Sequence, residues 1–194
     1  MTSRVFTVPN QLTFLRLGFL PFFIISIHYH RYDIALAVLI IAALTDGLDG
    51  LLARSLNQKT ALGAYLDPIA DKLLLSSSFV VLAFNGNIRW WLATLVLSRD
   101  ILLLTSAAVI LVVAGYRPFP PSIYGKLTTA LQILLVFAVV LLAVTEWPWL
   151  RFVRMILAYL VAGFTVFSGF HYSIVVSRRL SEQQGSAKGS SQTE

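Results

Sequence analysis

The sequence has no cysteine, which excludes disulfide bridges, cysteine-ligated zinc, iron–sulfur clusters and thiol catalysis. Charged residues are scarce as well: they make up 12% of the 194 residues, against about a quarter in soluble domains. The apolar share is 57% and the mean hydropathy is +0.78. This composition predicts an integral membrane protein. The net charge of +6 then concerns membrane orientation and anionic membrane lipids, and we expect no nucleic-acid partner.

Six apolar stretches are each close to the ~20 residues that a membrane-spanning helix needs. They cover residues 11–28, 34–53, 62–84, 90–114, 124–145 and 153–177. Backbone groups find no water inside a bilayer, so each stretch is predicted to be a helix. The predicted fold class is all-α, a polytopic bundle of six transmembrane helices. One membrane-embedded domain is predicted over 1–180. A Ser/Gly/Gln-rich cytoplasmic tail over 181–194 is predicted to be disordered.

The basic residues predict the orientation of this bundle. A cytoplasmic N-terminus puts most of them on the cytoplasmic side: Arg4, Arg54, Lys59, Arg117, Lys126, Arg178, Arg179 and Lys188. The opposite side receives Arg31, Arg89, Arg151 and Arg154. The excess favours cytoplasmic termini, and we expect a bacterial inner-membrane protein. All four tryptophans fall at the outer boundaries, as an aromatic belt does: Trp90, Trp91, Trp147 and Trp149.

Four aspartates lie where the second and third stretches approach each other along the chain. Asp46 and Asp49 are three residues apart, and Asp67 and Asp71 are four apart, so each pair shares one face of a helix. Carboxylates beside a membrane span are costly and usually functional. Four of them repel one another unless cations compensate. An oxygen-rich set of this kind suits Mg²⁺, Mn²⁺ or Ca²⁺, and two such ions are plausible here.

Small residues and an arginine accompany the acids. Gly50, Ala53 and Gly63 permit close approach of helices or of a bulky ligand. Arg54 beside a metal-rich site favours a phosphate or diphosphate ligand. A single acidic pair is most often a solvated helix end, but that interpretation does not explain the whole ordered set.

The run from Asp46 to Asp71 resembles the signature of the CDP-alcohol phosphatidyltransferase family, D-x2-D-G-x2-A-R-x8-G-x3-D-x3-D, at every fixed position. The resemblance implies an enzyme that releases CMP when an alcohol hydroxyl attacks CDP-diacylglycerol. It implies two Mg²⁺ or Mn²⁺ ions held by the four aspartates, with Asp71 also acting as the general base. Gly50, Ala53, Arg54 and Gly63 would line the CDP site. A homodimer with a cytoplasmic active site is implied in the same way.

The N-terminal stretch VPNQLTFLR places Asn10, Thr13 and Arg16 at three-residue steps along one helix face. An interfacial helix with a snorkelling arginine explains this spacing equally well. The opening also resembles the glycerol-acceptor branch of the family, namely phosphatidylglycerophosphate synthases and CDP-diacylglycerol-dependent cardiolipin synthases. That resemblance assigns Asn10 and Thr13 to the CDP site.

Three cations are candidates for holding an acceptor phosphate: Arg99, Arg117 and Lys126. Arg99 could instead only neutralise Asp100, and Lys126 could be a positive-inside anchor. Lys72 is interpreted as an ion-pair partner rather than a catalyst. The fourth stretch has no arginine after Arg99, which weakens the case for the dianion glycerol-3-phosphate. Both phosphatidylglycerol and glycerol-3-phosphate remain open as the glycerol-type acceptor.

Other functions are also considered. A family member could use another acceptor, such as inositol phosphate or serine. A cation transporter or channel could use the acids as an ion path, but Arg54 within the cluster opposes cation passage. A non-enzymatic scaffold gives no reason for a complete set of acids.

Overall fold

The structure is a computed structural model. It describes the backbone of residues 8–56, 61–114 and 123–190, and the side chains of residues 15, 17–45, 72–105, 123 and 125–170. The described backbone forms six helices and no strand, which confirms the all-helical class. The helices are α1 (Val8–His28), α2 (Tyr32–Leu56), α3 (Ala61–Phe84), α4 (Trp90–Ala114), α5 (Ile123–Thr145) and α6 (Pro148–Ser190).

Helix α6 differs most from its predicted bounds. It begins at Pro148, five residues before the predicted start at 153. Proline is well suited to a first helical position because its φ is preset and its missing N–H would be unpaired there anyway. The helix also continues to Ser190 and so includes residues 181–190. The division into a membrane domain and a separate tail stays a prediction.

Three helices end in tight turns, and each turn contains one residue in the left-handed region. These are His30 (φ 56°), Gly86 (φ 72°) and Glu146 (φ 54°). After α1, the N–H of Arg31 donates to the Ser26 carbonyl at 2.8 Å, and after α3 the N–H of Asn87 donates to the Leu82 carbonyl at 2.9 Å. Both are Schellman caps, which satisfy carbonyls at a helix end.

The six helices form a closed ring in the order α1, α2, α5, α6, α4, α3. The sequential pairs α1–α2, α3–α4 and α5–α6 are helical hairpins, and the contacts α2–α5, α6–α4 and α3–α1 join them. Helix α3 also contacts α5 across the ring. Over the described residues, α2 and α3 do not contact each other directly, and α1 and α5 each contact both of them. The apolar core fills the bundle at Phe23, Ile27, Phe79, Leu92 and Val139.

The outer surface is strongly apolar. Phe152, Tyr159 and Phe170 on α6 are each more than 60% exposed, which is unfavourable in water and expected against lipid. Two helical segments in the described residues are long and apolar enough to span a membrane, Gly125–Thr145 and Pro148–Phe170. The described apolar runs of α1, α2 and α3 are shorter: Leu17–His28, Tyr32–Thr45 and Lys72–Phe84. The structure therefore bears out six helices, of which two are clear spans.

Candidate functional site

The two halves of the aspartate motif lie on two different helices. Asp46 and Asp49 are in the C-terminal half of α2, and Asp67 and Asp71 are in the N-terminal half of α3. Both pairs lie within helices, which is the backbone that a shared face at spacings of three and four residues requires. The side chains of residues 46–71 lie outside the described side chains, so their convergence stays a prediction.

A mostly apolar groove lies between α2, α3 and α5. Its volume is about 200 Å³, and its lining comprises Leu39, Ala42, Ala43, Lys72, Leu74, Leu75, Ser78, Thr129, Ile133 and Val136. Ala43 on α2 precedes Asp46 by three residues, and Lys72 on α3 directly follows Asp71. The two halves of the motif therefore lie next, along α2 and along α3, to residues that line one groove. This arrangement provides apolar volume directly beside the acidic motif.

The chemistry of the motif suits divalent ions. Helices α2 and α3 together carry four aspartates, and carboxylate oxygens are the preferred ligands of Mg²⁺ and Mn²⁺. Binding of two such ions by Asp46, Asp49, Asp67 and Asp71 stays a prediction. Among the side chains that the structure describes, which do not include those of the motif, no group of three acidic or histidine residues is placed to hold a metal ion.

A buried ion cluster lies beside the groove and joins three helices. The Asp100 carboxylate on α4 accepts a hydrogen bond from Lys72 Nζ on α3 at 2.7 Å and another from Arg99 Nη1 at 2.8 Å. Both donors contact the same oxygen, Oδ1, while Ser76 Oγ lies 3.5 Å from Oδ2. Arg99 Nη2 also donates to Ser168 Oγ on α6 at 3.3 Å. The side chains of Arg99 and Asp100 are 5% and 3% exposed.

The ion cluster bears on the predicted roles of Lys72 and Arg99. Lys72 is confirmed as an ion-pair partner, and its partner is Asp100, 28 residues away on the next helix. Arg99 pairs with Asp100, which was one of its two interpretations; a further role toward an acceptor stays a prediction. Among the described side chains, the cluster holds two cations and one anion, which leaves one positive charge. Because Lys72 is 25% exposed and lines the groove, its ammonium places positive charge at the groove wall.

Several buried polar atoms near the middle of the bundle have no hydrogen-bond partner among the described residues. They are Arg99 Nε, both side-chain polar atoms of Gln132, and Thr165 Oγ1. Buried polar groups are normally hydrogen-bonded, so these atoms either have a functional partner or lower the stability of the fold. The sequence gives little indication of them, because Gln132 and Thr165 look like ordinary polar residues within apolar helices.

The remaining predicted site residues are spread over the bundle. Asn10 and Thr13 are in the first two turns of α1, with side chains outside the described set. Lys126 is exposed near the start of α5. Arg117 lies outside the described residues. Helix α1 contacts both α2 and α3, the two helices that carry the motif.

Comparison with known proteins agrees with the motif. A family profile described as CDP-alcohol phosphatidyltransferase matches residues 6–167. A Mycobacterium tuberculosis protein named "probable phosphatidylglycerophosphate synthase" is 37% identical over 136 residues, which cover 67% of this chain and 64% of that protein. A Homo sapiens protein named cardiolipin synthase (CMP-forming) is 38% identical over 152 residues, covering 68% of this chain and 49% of that protein.

A Streptomyces coelicolor protein, also named cardiolipin synthase (CMP-forming), is 37% identical over 134 residues, with 66% of this chain and 62% of that protein covered. The chain thus matches between about half and just under two thirds of the length of these relatives. The family match includes all eight fixed positions of the motif, from Asp46 to Asp71. The chain belongs to the CDP-alcohol phosphatidyltransferase family.

Proposed function

We propose that this protein transfers a phosphatidyl group from CDP-diacylglycerol to a glycerol-type alcohol and releases CMP. One observation carries the proposal: the complete motif lies on α2 and α3, next along each helix to the residues that line an apolar groove. A lipid-linked diphosphate needs polar recognition for its headgroup and apolar surroundings for its acyl chains. The names of the relatives from Mycobacterium tuberculosis and Homo sapiens support the same reaction class.

In the proposed reaction, Asp71 accepts the proton of the acceptor hydroxyl. The hydroxyl oxygen bonds to the phosphorus that carries diacylglycerol, and the bond from this phosphorus to the bridging oxygen breaks. CMP leaves with that electron pair. Asp46, Asp49, Asp67 and Asp71 would hold divalent ions, which when bound would supply charge stabilisation on the leaving phosphate. The residues proposed to line the CDP site are Asn10, Thr13, Gly50, Ala53, Arg54 and Gly63.

The buried ion cluster favours phosphatidylglycerol over glycerol-3-phosphate as the acceptor. A dianionic phosphate needs several available cations, and Asp100 already neutralises one of the two positive charges of Arg99 and Lys72. A phosphodiester carries one negative charge and needs fewer cations. Lys126, Arg117 and the unpaired Nε of Arg99 are the proposed contacts for it.

The proposed setting is a bacterial inner membrane crossed by all six helices, with the motif and both termini on the cytoplasmic side. Trp90 and Trp91 begin α4, while Trp147 and Trp149 flank the start of α6, and all are about half exposed. Tryptophan at these helix ends fits a membrane interface on the side opposite the motif. The exposed apolar face of α6 provides surface for lipid or for a second copy, and a homodimer is part of the proposal.

Purified protein with radiolabelled CDP-diacylglycerol tests the reaction. Phosphatidylglycerol, glycerol-3-phosphate, inositol phosphate and serine are offered separately, and lipid products and CMP are separated by chromatography. We expect cardiolipin and CMP with phosphatidylglycerol, loss of both in EDTA, and recovery with Mg²⁺ or Mn²⁺. An Asp46→Asn variant serves as the inactive control. CMP release in chelator, or no product with any acceptor, would contradict the proposal.

A further inference from the structure

The Asp100 carboxylate has an unusual position relative to the motif. It holds the ammonium of Lys72 at 2.7 Å, and Lys72 is the residue that directly follows Asp71. Asp100 is 3% exposed and lies on a different helix from every motif aspartate. A single carboxylate on α4 therefore controls the position of a cation beside the proposed metal ligands.

Lys72 would otherwise have other acceptors available. A lysine ammonium is a compact charge on a flexible four-carbon stem, and four carboxylates of the motif lie on the neighbouring turns of α3 and on α2. In a poorly solvated site, an ammonium close to these carboxylates would gain a strong attraction. Such a contact would compete directly with a divalent ion for the same oxygens.

We propose that Asp100 is a positioning residue that sequesters Lys72 at the α3–α4 contact and thereby keeps the motif carboxylates available for metal. The inference rests on the proposed function in that it takes these carboxylates as metal ligands. Arg99 and Ser168 complete the arrangement, because Arg99 holds the same Asp100 oxygen and is itself anchored to α6. Outer-shell partners of metal sites commonly change metal affinity by about 10–100-fold when they are removed.

A purely structural role is the main alternative. Asp100 would then only neutralise two cations, and its loss would destabilise the bundle without affecting metal affinity. The two roles differ in what the removal of Lys72 does. If Lys72 competes for the motif after Asp100 is lost, then removing its ammonium restores metal binding. A structural defect at Arg99 would not be repaired in that way.

The experiment measures Mn²⁺ binding by electron paramagnetic resonance on purified, detergent-solubilised protein without substrates. The variants are Asp100→Asn, Lys72→Met and the double variant with both changes. Asp100→Asn is expected to weaken Mn²⁺ binding by about tenfold. The double variant and Lys72→Met alone are expected to bind within about twofold of wild type. The Ser168→Ala variant is a matched control, since it loosens Arg99 without releasing Lys72, and its Mn²⁺ affinity should not change.

Asp100→Asn leaves Arg99 buried beside a neutral side chain and could prevent folding. The variant Arg99→Met with Asp100→Asn removes that charge together with its partner and still releases Lys72. It should bind Mn²⁺ about tenfold more weakly than wild type, and adding Lys72→Met should restore binding. Wild-type affinity in this variant, or failure of Lys72→Met to restore it, would overturn the inference. Absence of Mn²⁺ binding in the wild-type protein would contradict the proposed metal site instead.

Discussion

The three ion-pairing residues of the buried cluster should contribute unequally to stability, and the structure predicts their order. Among the described side chains, Asp100 is the one anion of the cluster and pairs with two cations, so Asp100→Asn leaves Arg99 buried without a charged partner and also removes the partner of Lys72. Breaking a buried pair from one side costs about 3–5 kcal/mol because the remaining charge stays buried. For a protein of this size, that loss lowers the unfolding midpoint by roughly 6–20 °C.

Removal of either cation should cost less. After Arg99→Met, Asp100 still holds Lys72 at 2.7 Å, and the variant loses hydrogen bonds to charged groups worth about 1.5–3 kcal/mol. Lys72→Met leaves the Arg99–Asp100 pair intact. Since the Lys72 side chain is 25% exposed, water compensates part of the loss, and we expect the smallest effect there. Methionine keeps most of the side-chain volume, so cavity formation contributes little to these differences.

Thermal unfolding in one detergent, followed by tryptophan fluorescence, measures all three variants. The expected order of destabilisation is Asp100→Asn, then Arg99→Met, then Lys72→Met. If Arg99→Met lowers the midpoint as far as Asp100→Asn does, then Lys72 does not compensate Asp100 and the shared-oxygen geometry is wrong. Acceptor KM measured on folded Arg99→Met protein answers a separate question. A rise for the acceptor but not for CDP-diacylglycerol would show that Arg99 also contacts the acceptor.

Three further predictions concern the motif, the core and the topology. Asp71→Asn should lower kcat while CDP-diacylglycerol binding persists, whereas Asp46→Asn should weaken Mn²⁺ binding as well. Equilibrium binding and steady-state kinetics distinguish these two effects. Wild-type turnover in Asp71→Asn would refute the assignment of Asp71 as the general base. Gln132→Leu should raise the unfolding midpoint, because an unpaired buried amide costs about 1–3 kcal/mol; a lower midpoint would mean that the amide has a partner. A single cysteine placed in 55–60 should react with an impermeant thiol reagent only from the cytoplasmic side, and one placed in 85–89 only from outside. The chain has no native cysteine to interfere with this labelling. The reverse pattern would contradict the proposed orientation.

The helices were predictable from the sequence to a large extent. Long apolar runs separated by short polar breaks place α4 at its observed bounds and α3 within one residue of them. The start of α6 was missed because a proline near tryptophans resembles a break, although proline is favourable at a first helical turn. The membrane-spanning character of all six helices remains a prediction, because the described apolar runs of α1 to α3 are short.

The family was also predictable from the sequence, because eight fixed positions of the motif carry the resemblance that the family profile confirms. The roles of the individual motif residues stay predictions. The ion-pair partner of Lys72 was not predictable from the sequence. Asp100 is 28 residues away, and only the packing of α3 against α4 brings the two together. The unpaired amide of Gln132 was equally hidden, because the burial of one helix face depends on the ring order of the helices. Local patterns specify elements and motifs, whereas contacts between distant elements depend on the tertiary arrangement.

The ring of three hairpins has a consequence for how the chain enters a membrane. The turns within the hairpins are short: residues 29–31, 85–89 and 146–147 are all that separate their helices. An insertion machinery that accepts helices in pairs would need to translocate only these turns. The connections that join one hairpin to the next, including the one between the motif halves, would remain on the side of the ribosome throughout synthesis. In the proposed orientation, the two halves of the motif would therefore come together as soon as the second hairpin meets the first, before the last two helices have left the ribosome.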